Sequence, residues 1–432
     1  MKDYSKRFPL PKSNFWHEIP DRVVVLENEV KDLSETPSSI AANGTTLYST
    51  NPLAGPLVGP LSNIGNIAFG EQAGKDTQTF NSVFLVGNAG YEATNANNAV
   101  FAGYSAGQYA VNAEASNFIG NAAGRWAANA NNSNFLGQNS GNQATNAHHS
   151  NFLGYLSGAG AENAYNSNFL GQFSGYFATY AGGSNFIGEY SGYYATNVNG
   201  ANFLGGGAGL QCTNASHSNF FGSQTGMNAI SAYSSNFLGQ QAGLNAENAN
   251  GSNFLGRFAG YDATSARYSN FLGYDSGNAA INANNSNFLG YNSGYGAANA
   301  SYSSFLGYNV GRSFTGNNVG SNNIIIGTNI SLPNASANKI NIGGILFGSN
   351  AYSTTSGNPS IVPATTGRIG IGIVAPTANL HIRASTTGAA LMRLEIGPAP
   401  TSPNSGDIWL ENDTDTGLKI RINGVTKTIT LS

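Results

Sequence analysis

The repetitive middle of this chain contains few acidic residues, and each can be tested as a catalytic carboxylate. Asp262 and Asp275 lie 13 residues apart and form its only close acidic pair. A glycoside hydrolase needs two carboxyl groups about 5 to 9.5 Å apart. Both aspartates occupy variable places in the repeat described below. We therefore expect surface residues here and predict that the protein is not an enzyme.

Two short segments contain residue types that bind metals. His148 and His149 would hold a metal if symmetry-related copies met on an axis, although they lie in a variable turn. Residues 413–417, Asp-Thr-Asp-Thr-Gly, resemble part of a calcium loop but lack the remaining ligands and lie where a hairpin turn is expected. We predict no metal and no other cofactor.

Aromatic side chains follow the repeated glycines at variable places, and aromatic rings stack on sugar rings. These residues are candidates for contact with a glycan or another surface; alternatively, they cover the glycine corners of neighbouring coils and pack laterally. A second candidate receptor site is residues 384–432 of associated chains. The aromatic candidates are Trp126, Tyr176, Phe177, Tyr193, Tyr194, Tyr261 and Tyr295.

The element that must position these side chains is a repeat of 17 residues that runs without insertion or deletion. Each unit reads Ser-Asn-Phe-Leu-Gly, two variable residues, Ser or Ala, Gly, and then an Ala-rich stretch. A fixed period of this size is typical of a stacked solenoid. The repeated phenylalanines, the predicted structural core, are Phe101, Phe118, Phe135, Phe152, Phe169, Phe186, Phe203, Phe220, Phe237, Phe254, Phe271, Phe288 and Phe305.

The repeat predicts an all-β parallel β-solenoid, or β-roll, of 17-residue coils. Ser-Asn-Phe-Leu-Gly has the length of a strand, whose alternation puts Phe on one face and Asn and Leu on the other. Columns such as Ala144 with Ala147 predict a second short strand with small inward groups, and glycines predict the corners. The asparagines before each Phe predict an amide ladder. A three-sided helix of hexapeptides would need a sub-period of six, which is missing.

Either the Phe column or the Leu column must fill the coil, and the other then forms an apolar stripe. A stripe of that length does not stay exposed on a soluble monomer. We therefore predict a parallel homotrimer. If each coil rises by one strand spacing of about 4.8 Å, the strict coils extend for roughly 60 Å.

Composition excludes several classes of partner. Charged residues make up 9% of the chain and the net charge is -3, so the repeats cannot neutralise nucleic-acid phosphates. No apolar run reaches the length of a membrane span, so we predict no membrane insertion. The single cysteine, Cys212, stands where neighbouring repeats have alanine, which predicts a small buried residue.

Composition and pattern also predict the domain boundaries. We expect an N-terminal attachment segment (1–19), a short coiled-coil helix (20–35), a Pro/Gly linker or collar (36–66), the solenoid shaft (67–311), degenerate repeats with a linker (312–366) and a C-terminal β module (367–432). In the helix, Val23, Leu26, Val30 and Leu33 follow a heptad pattern that usually favours dimers, in conflict with a trimer. A lone amphipathic helix on a partner is the alternative.

Three motifs carry a resemblance to known families. Residues 133–147, which combine Ser-Asn-Phe-Leu-Gly with Ala-Thr-Asn-Ala, resemble the repeats of trimeric bacteriophage tail fibres and the β-roll head repeats of trimeric autotransporter adhesins. Residues 367–382, with Gly-Ile-Gly and Pro-Thr-Ala-Asn-Leu-His, are similar to a motif of phage fibres and bacterial surface proteins. Residues 405–410 look like the Gly-Asp-Ile-Trp strand near fibre C-termini.

The resemblance implies a structural fibre protein of a phage or phage-like particle that attaches to the host cell surface. Trimeric autotransporters carry a signal peptide and a membrane barrel, which this sequence lacks, so the phage fibre is the expectation. It implies a virion protein assembled in the host cytoplasm, attached through residues 1–19 to a tail or baseplate protein, with a host glycan or protein as receptor. The alternatives are a fibre of an injection particle, a bacterial cell-surface adhesin and an extracellular matrix filament.

Overall fold

The computed structural model describes residues 66–77, 79–312, 318–350, 366–388, 390–411 and 417–429. All regular elements within these ranges are β-strands, and the fold is an all-β parallel β-solenoid. Within the same ranges there is no helix of the length and apolarity that a bilayer span requires. The predicted attachment segment, the coiled coil and all but the last residue of the collar lie outside the described residues.

The strands are short, and most have three residues centred on the repeated Phe. Their bounds are β1 Ile67–Phe69, β2 Val83–Leu85, β3 Val100–Ala102, β4 Asn117–Ile119, β5 Asn134–Leu136, β6 Asn151–Leu153, β7 Asn168–Leu170, β8 Asn185–Ile187, β9 Asn202–Leu204, β10 Asn219–Phe221, β11 Asn236–Leu238, β12 Asn253–Leu255, β13 Asn270–Leu272, β14 Asn287–Leu289, β15 Ser304–Tyr308, β16 Ile324–Thr328, β17 Lys339–Ile342, β18 Leu346–Ser349, β19 Arg368–Ile371, β20 Leu380–Ile382, β21 Ile396–Gly397, β22 Ile408–Glu411, β23 Leu418–Ile422 and β24 Val425–Ile429.

Consecutive strands from β1 to β17 pair in parallel, each with the next coil of the chain. Residue pairs such as Phe135 and Phe152 are in register, which is what the fixed period predicts. The direction changes after β17, where β17, β18 and β19 pair antiparallel, and β20 then pairs in parallel with β19.

A second parallel ladder runs along the other side of the coils as a column of single-residue bridges. It includes the bridges Ala128–Thr145 and Thr145–Glu162 and extends from Thr94 to Asn318. The neighbouring Ala144 and Ala147 are buried. The predicted second strand with methyl-sized inward groups is thus confirmed, although only one residue per coil has β pairing.

The Phe column, and not the Leu column, fills the coil. From Phe101 to Phe305 every repeated ring is fully buried and stacked on the next at 4.6–4.9 Å between centroids, with the planes 3–8° apart. This spacing equals that of hydrogen-bonded strands, so one ring per coil fills the interior without a gap. Alanine opposite each ring keeps the coil thin.

Two glycines per coil are required by this packing. A Cβ on Gly141 would lie 2.2 Å from Cδ2 of Phe135, and one on Gly137 would lie 2.5 Å from the carbonyl oxygen of Gly154. Both glycines also have positive φ angles, +62° and +134°. The predicted role of glycine at the corners, close approach together with positive φ, is therefore confirmed.

Four further residues per coil adopt the left-handed conformation, a feature that the sequence analysis did not predict. In the coil of residues 133–149 they are Asn139, Gln143, Asn146 and His149, with φ between 51° and 62°. Each donates its backbone N–H to a carbonyl of the preceding coil, at 2.8–2.9 Å. Left-handed geometry costs a non-glycine residue about 1–2 kcal/mol, so these bonds between coils offset a repeated local strain.

Buried serines complete the hydrogen bonding of the interior. Ser133 Oγ donates to the carbonyl of Ala147 at 2.7 Å and accepts the backbone N–H of Ser150 at 3.1 Å. Ser140 Oγ donates to the carbonyl of Phe152 in the next coil at 2.7 Å. The first serine thereby joins the two ends of one coil and, like the second, also links that coil to the next, so neither hydroxyl is buried without a partner.

The C-terminal part contains a second, four-stranded sheet of β21 to β24. The last two strands form a hairpin, in which β23 pairs antiparallel with β24. Its turn residues Asn423 and Gly424 have φ angles of 46° and 77°, which matches the Asn-Gly type of two-residue turn.

Replacement of Gly141 by alanine should destabilise the solenoid, since the new methyl group would overlap the Phe135 ring and strain a left-handed residue. We expect a loss of about 3 kcal/mol, measurable as a lower melting temperature by circular dichroism. The matched control is Gly206→Ala, where the nearest atom to a Cβ, the Glu189 carbonyl oxygen, is 4.0 Å away. The control should melt at the wild-type temperature or slightly above it. Equal melting of the two variants would contradict the packing described here.

Candidate functional site

Two surfaces of the coils carry a repeated side-chain pattern. Numbering the coil of residues 133–149 from its first serine, positions 2 and 4 hold the outward-facing Asn and Leu of each strand. We call this surface, from β4 to β14, the Asn/Leu face. Positions 6, 7, 10 and 11, on both sides of the central Ser/Ala-Gly pair, form the second surface, which we call the aromatic flank.

The amide ladder predicted on the Asn/Leu face is confirmed. From Asn117 to Asn270 each Nδ2 donates to the Oδ1 of the asparagine in the next coil, at 2.7–2.9 Å, and Asn287 is the last acceptor. An amide has two N–H donors and two acceptor lone pairs. Each ladder member thus retains one donor and one lone pair for a partner outside the coil.

The apolar column beside this ladder is partly exposed. Ile119, Ile187 and Phe221 are 42%, 42% and 39% exposed, and every member at position 4 from β4 to β14 is Leu, Ile or Phe. Open troughs of about 700 and 670 Å³ run between the two columns, from Asn219 to Leu289 and from Asn117 to Ile187. The side chains of the face at positions 2 and 4 are amides and apolar groups, which are suited to contact with a partner.

On the aromatic flank the structure brings together four of the seven aromatic candidates. Tyr176 stacks on Tyr193 at 5.2 Å and Phe177 on Tyr194 at 5.4 Å, while Tyr176 and Phe177 meet edge to face at 4.6 Å. Phe177 and Tyr194 are exposed, and Tyr176 and Tyr193 are half-buried. Rings stacked in this way present mainly their edges to solvent.

The cluster also contains aromatic residues that were not predicted from the sequence. Phe173 and Tyr190 stack at 5.0 Å, and Phe173 contacts Tyr155 and Tyr193 edge to face. These residues occupy positions 6 and 7, before the central glycine, whereas the aromatic residues predicted as candidates all follow it. They could have been found from the turn itself, because residues before and after the central glycine flank one corner and lie on the same surface.

Burial raises the pKa of the Tyr176 and Tyr193 phenols above the usual range, and the neighbouring Tyr194 adds to both effects. These hydroxyls therefore stay protonated at neutral pH, and each can donate and accept a hydrogen bond. The cluster provides apolar ring edges with polar tips, a combination common at binding surfaces.

The other three aromatic candidates lie apart from this cluster. Trp126 stacks on Tyr109 at 6.0 Å, and the guanidinium carbon of Arg125 is 3.7 Å from its ring centroid. Tyr261 meets Phe258 edge to face at 5.9 Å. The guanidinium carbon of Arg312 lies 5.1 Å from the Tyr295 ring. Lateral packing on neighbouring side chains is thus common to all seven candidates.

The acidic pair shows no sign of a joint role. Asp262 accepts a hydrogen bond from Asn245, and Asp275 accepts one from Asn278, both at 2.8 Å. Both aspartates are in the left-handed conformation at turns, where Asp262 is exposed and Asp275 is half-buried.

The histidine pair lies on the surface of its turn. His148 stacks on Tyr165 at 5.6 Å and meets His149 edge to face at 5.4 Å. Within the described part of the chain, no three His, Cys, Asp or Glu residues are grouped as a metal site requires. Residues 412–416, which include most of the loop that resembles a calcium site, lie outside the described residues.

Cys212 is buried at 1% exposure in the slot that holds alanine in neighbouring coils, as predicted. Burial raises the pKa of its thiol well above the usual range. The reactive form of cysteine is the thiolate, so this residue is an inert packing group in the folded protein.

A comparison of the chain with protein-family models and with curated protein sequences found no match.

Cys212 should react with a thiol-specific disulfide reagent at pH 8 only as fast as the coil opens, because the sulfur is both buried and protonated. We expect negligible labelling of the native protein and complete labelling in guanidinium chloride. In a Cys212→Ala background, Ile230→Cys is the control and should react immediately, because Ile230 lies on the second ladder and is 46% exposed. Rapid labelling of native Cys212 would show that its coil is not closed as described.

Proposed function

We propose that this protein is a non-enzymatic structural fibre protein of a phage or phage-like particle, and that it attaches the particle to the surface of the host cell. The single observation that carries the proposal is the uncharged Asn/Leu face, which continues without interruption from β4 to β14. A surface with apolar side chains and unused amide groups over this length is suited to burial against a partner of the same length.

The partner that best fits the face is a second copy of the chain. The coil spacing is 4.6–4.9 Å throughout, so a parallel copy has the same pitch and stays in register along the whole face. Each amide can then use its remaining donor and acceptor across the interface. Symmetric closure requires a small ring of copies, and we propose three, the number in the fibres whose repeats this chain resembles.

In this fibre the coils form the shaft, while attachment to the particle and contact with the receptor involve other regions. We propose that residues 1–19 bind a tail or baseplate protein and that the protein is a virion component assembled in the host cytoplasm. The receptor, a glycan or a protein of the host surface, would contact the aromatic flank or the module of residues 384–432. Both regions are separate from positions 2 and 4 of the coils, so trimer formation would leave them accessible.

The purified protein should have a mass in solution of about 134 kDa, three times the 44.7 kDa of one chain. The double variant Leu136→Glu and Leu255→Glu puts charges on the Asn/Leu face and should yield monomers by light scattering. Thr145→Glu is the control, because Glu162 and Glu247 occupy the same position naturally. A monomeric wild type, or a charged double variant that remains a trimer, would contradict the proposed shaft.

Attachment to a particle calls for a separate measurement. Antibodies against residues 367–432, applied to particles from a lysate of the producing cells, should label the distal ends of tail-associated fibres in electron micrographs. Antibodies of the same class against an unrelated protein are the control. Label found on cell surfaces without particles would replace this proposal with that of an adhesin or a matrix filament.

A further inference from the structure

Arg125 and Trp126 form an unusual pair on the aromatic flank. They occupy positions 10 and 11 of the coil that contains β4, and the guanidinium lies against the indole ring with 3.7 Å between its carbon and the ring centroid. Trp126 is 42% exposed and Arg125 is half-buried. Such contact restrains the plane of the guanidinium, so less conformational freedom is lost when its donors bind a ligand.

The positive charge of Arg125 has no counterpart nearby. Between residues 93 and 161 the only other charged residue is Glu114, at position 16 of the preceding coil. No described carboxylate forms an ion pair with Arg125, and its Nε atom is buried without a hydrogen-bond acceptor. A cation held in this way, in a solenoid with so few charges, is a feature that packing alone does not require.

Tyr109 stacks on Trp126 at 6.0 Å, and the residues in the same column as Arg125 are uncharged amides. Position 10 is Gln108 in the preceding coil and Asn142 in the following coil. Oδ1 of Asn142 is buried without a partner, while its Nδ2 donates to Oδ1 of Asn139 at 3.4 Å. Two polar atoms without partners, a donor on Arg125 and an acceptor on Asn142, therefore occupy the same position of adjacent coils.

This set of groups fits one class of ligand. A guanidinium binds a carboxylate through two parallel hydrogen bonds. The exposed part of the indole offers apolar contact to the C–H groups of a sugar ring, and the half-buried amide of Gln108 can bond its hydroxyls. A polyphosphate or nucleic acid would need several cations along the surface, and here there is one.

We infer that Arg125, Trp126 and the adjoining amides form a binding site for a carboxylated sugar, such as a uronic acid residue of a surface polysaccharide. The inference rests on the proposed function for its biological role, since it assigns a receptor chemistry to the shaft. The site is at a different turn of the coil from the Asn/Leu face and remains open in the proposed trimer.

The test uses full-length protein with Trp16→Phe and Trp409→Phe, so that Trp126 is its only tryptophan. Trigalacturonate is the probe, and its methyl ester, which lacks the negative charges, is the matched ligand control. Trigalacturonate should change the Trp126 fluorescence with saturation, and the ester should bind at least tenfold more weakly. Added salt should weaken the binding of trigalacturonate and leave that of the ester unchanged.

Arg125→Gln should weaken trigalacturonate binding by about tenfold to a hundredfold, as expected for loss of a charge-assisted bidentate contact. Glutamine fits this position, because Gln108 occupies it in the preceding coil. Arg257→Gln is the matched control: this arginine also lies over a ring, that of Phe258 at 4.6 Å, but at position 6, and its loss should not change binding. Arg125→Lys, which keeps the charge without the fork, should give an intermediate affinity.

Equal binding of the acid and the ester, or unchanged affinity in Arg125→Gln with a wild-type melting curve, would overturn this site. The fibre proposal is decided separately by the mass and the micrographs. A trimeric, particle-bound protein that fails to bind trigalacturonate would refute only the site. Binding by a protein that is monomeric would support the site and refute the fibre.

Discussion

Stacking of one phenylalanine per coil is the interaction on which the rest of this structure depends. Ring centroids in successive coils are 4.6–4.9 Å apart, the spacing of paired strands, so the column of rings runs through the interior and leaves no room for a second large side chain. The opposite wall must then be alanine or serine, and the places where the backbone passes a ring, such as Gly141 beside Phe135, must be glycine. The period follows from the same constraint, because a coil of a different length would move its ring out of the column.

The same constraint explains the strained backbone. A closed coil this thin has to turn several times in 17 residues, and left-handed residues such as Asn139 and Asn146 provide the turns. Asparagine tolerates that conformation better than most residues, and where it recurs at position 14 its amides also bond between coils, as Asn129 does to Asn146 at 2.8 Å. The left-handed residues therefore strain each coil, and the hydrogen bonds that offset this strain form only when coils are stacked. The stability of each coil then depends on the coils stacked against it, as expected of a solenoid.

Much of this fold could be predicted from the sequence, because the period, the Phe column and the corner glycines repeat without error. The amide ladder and the burial of Cys212 followed from the same alignment of repeats. Strand alternation alone does not decide between Phe and Leu for the interior, since it is symmetric between the two faces of a strand. The left-handed conformation of Trp126 and Gln143 was also missed, because their residue types are not enriched in it. At the candidate site, the stacking of Phe173 with Tyr190 depends on the path of a turn, which the strand pattern does not specify.

The repeat also separates the residues that maintain the coil from those that are free to vary. Positions filled by Phe, Ala, Ser and Gly are buried or conformationally required, so a change there affects every neighbouring coil. Positions 6, 7, 10 and 11 face outward at one corner, and there the chain places glycines in one coil, at Gly206 and Gly207, and aromatic rings in the coil before it, at Tyr190, Tyr193 and Tyr194. Because these positions recur at a constant spacing, substitutions in several coils can build an extended surface without any change of fold. The corner sequence can thus change from coil to coil, while the column of rings keeps the spacing of the coils constant.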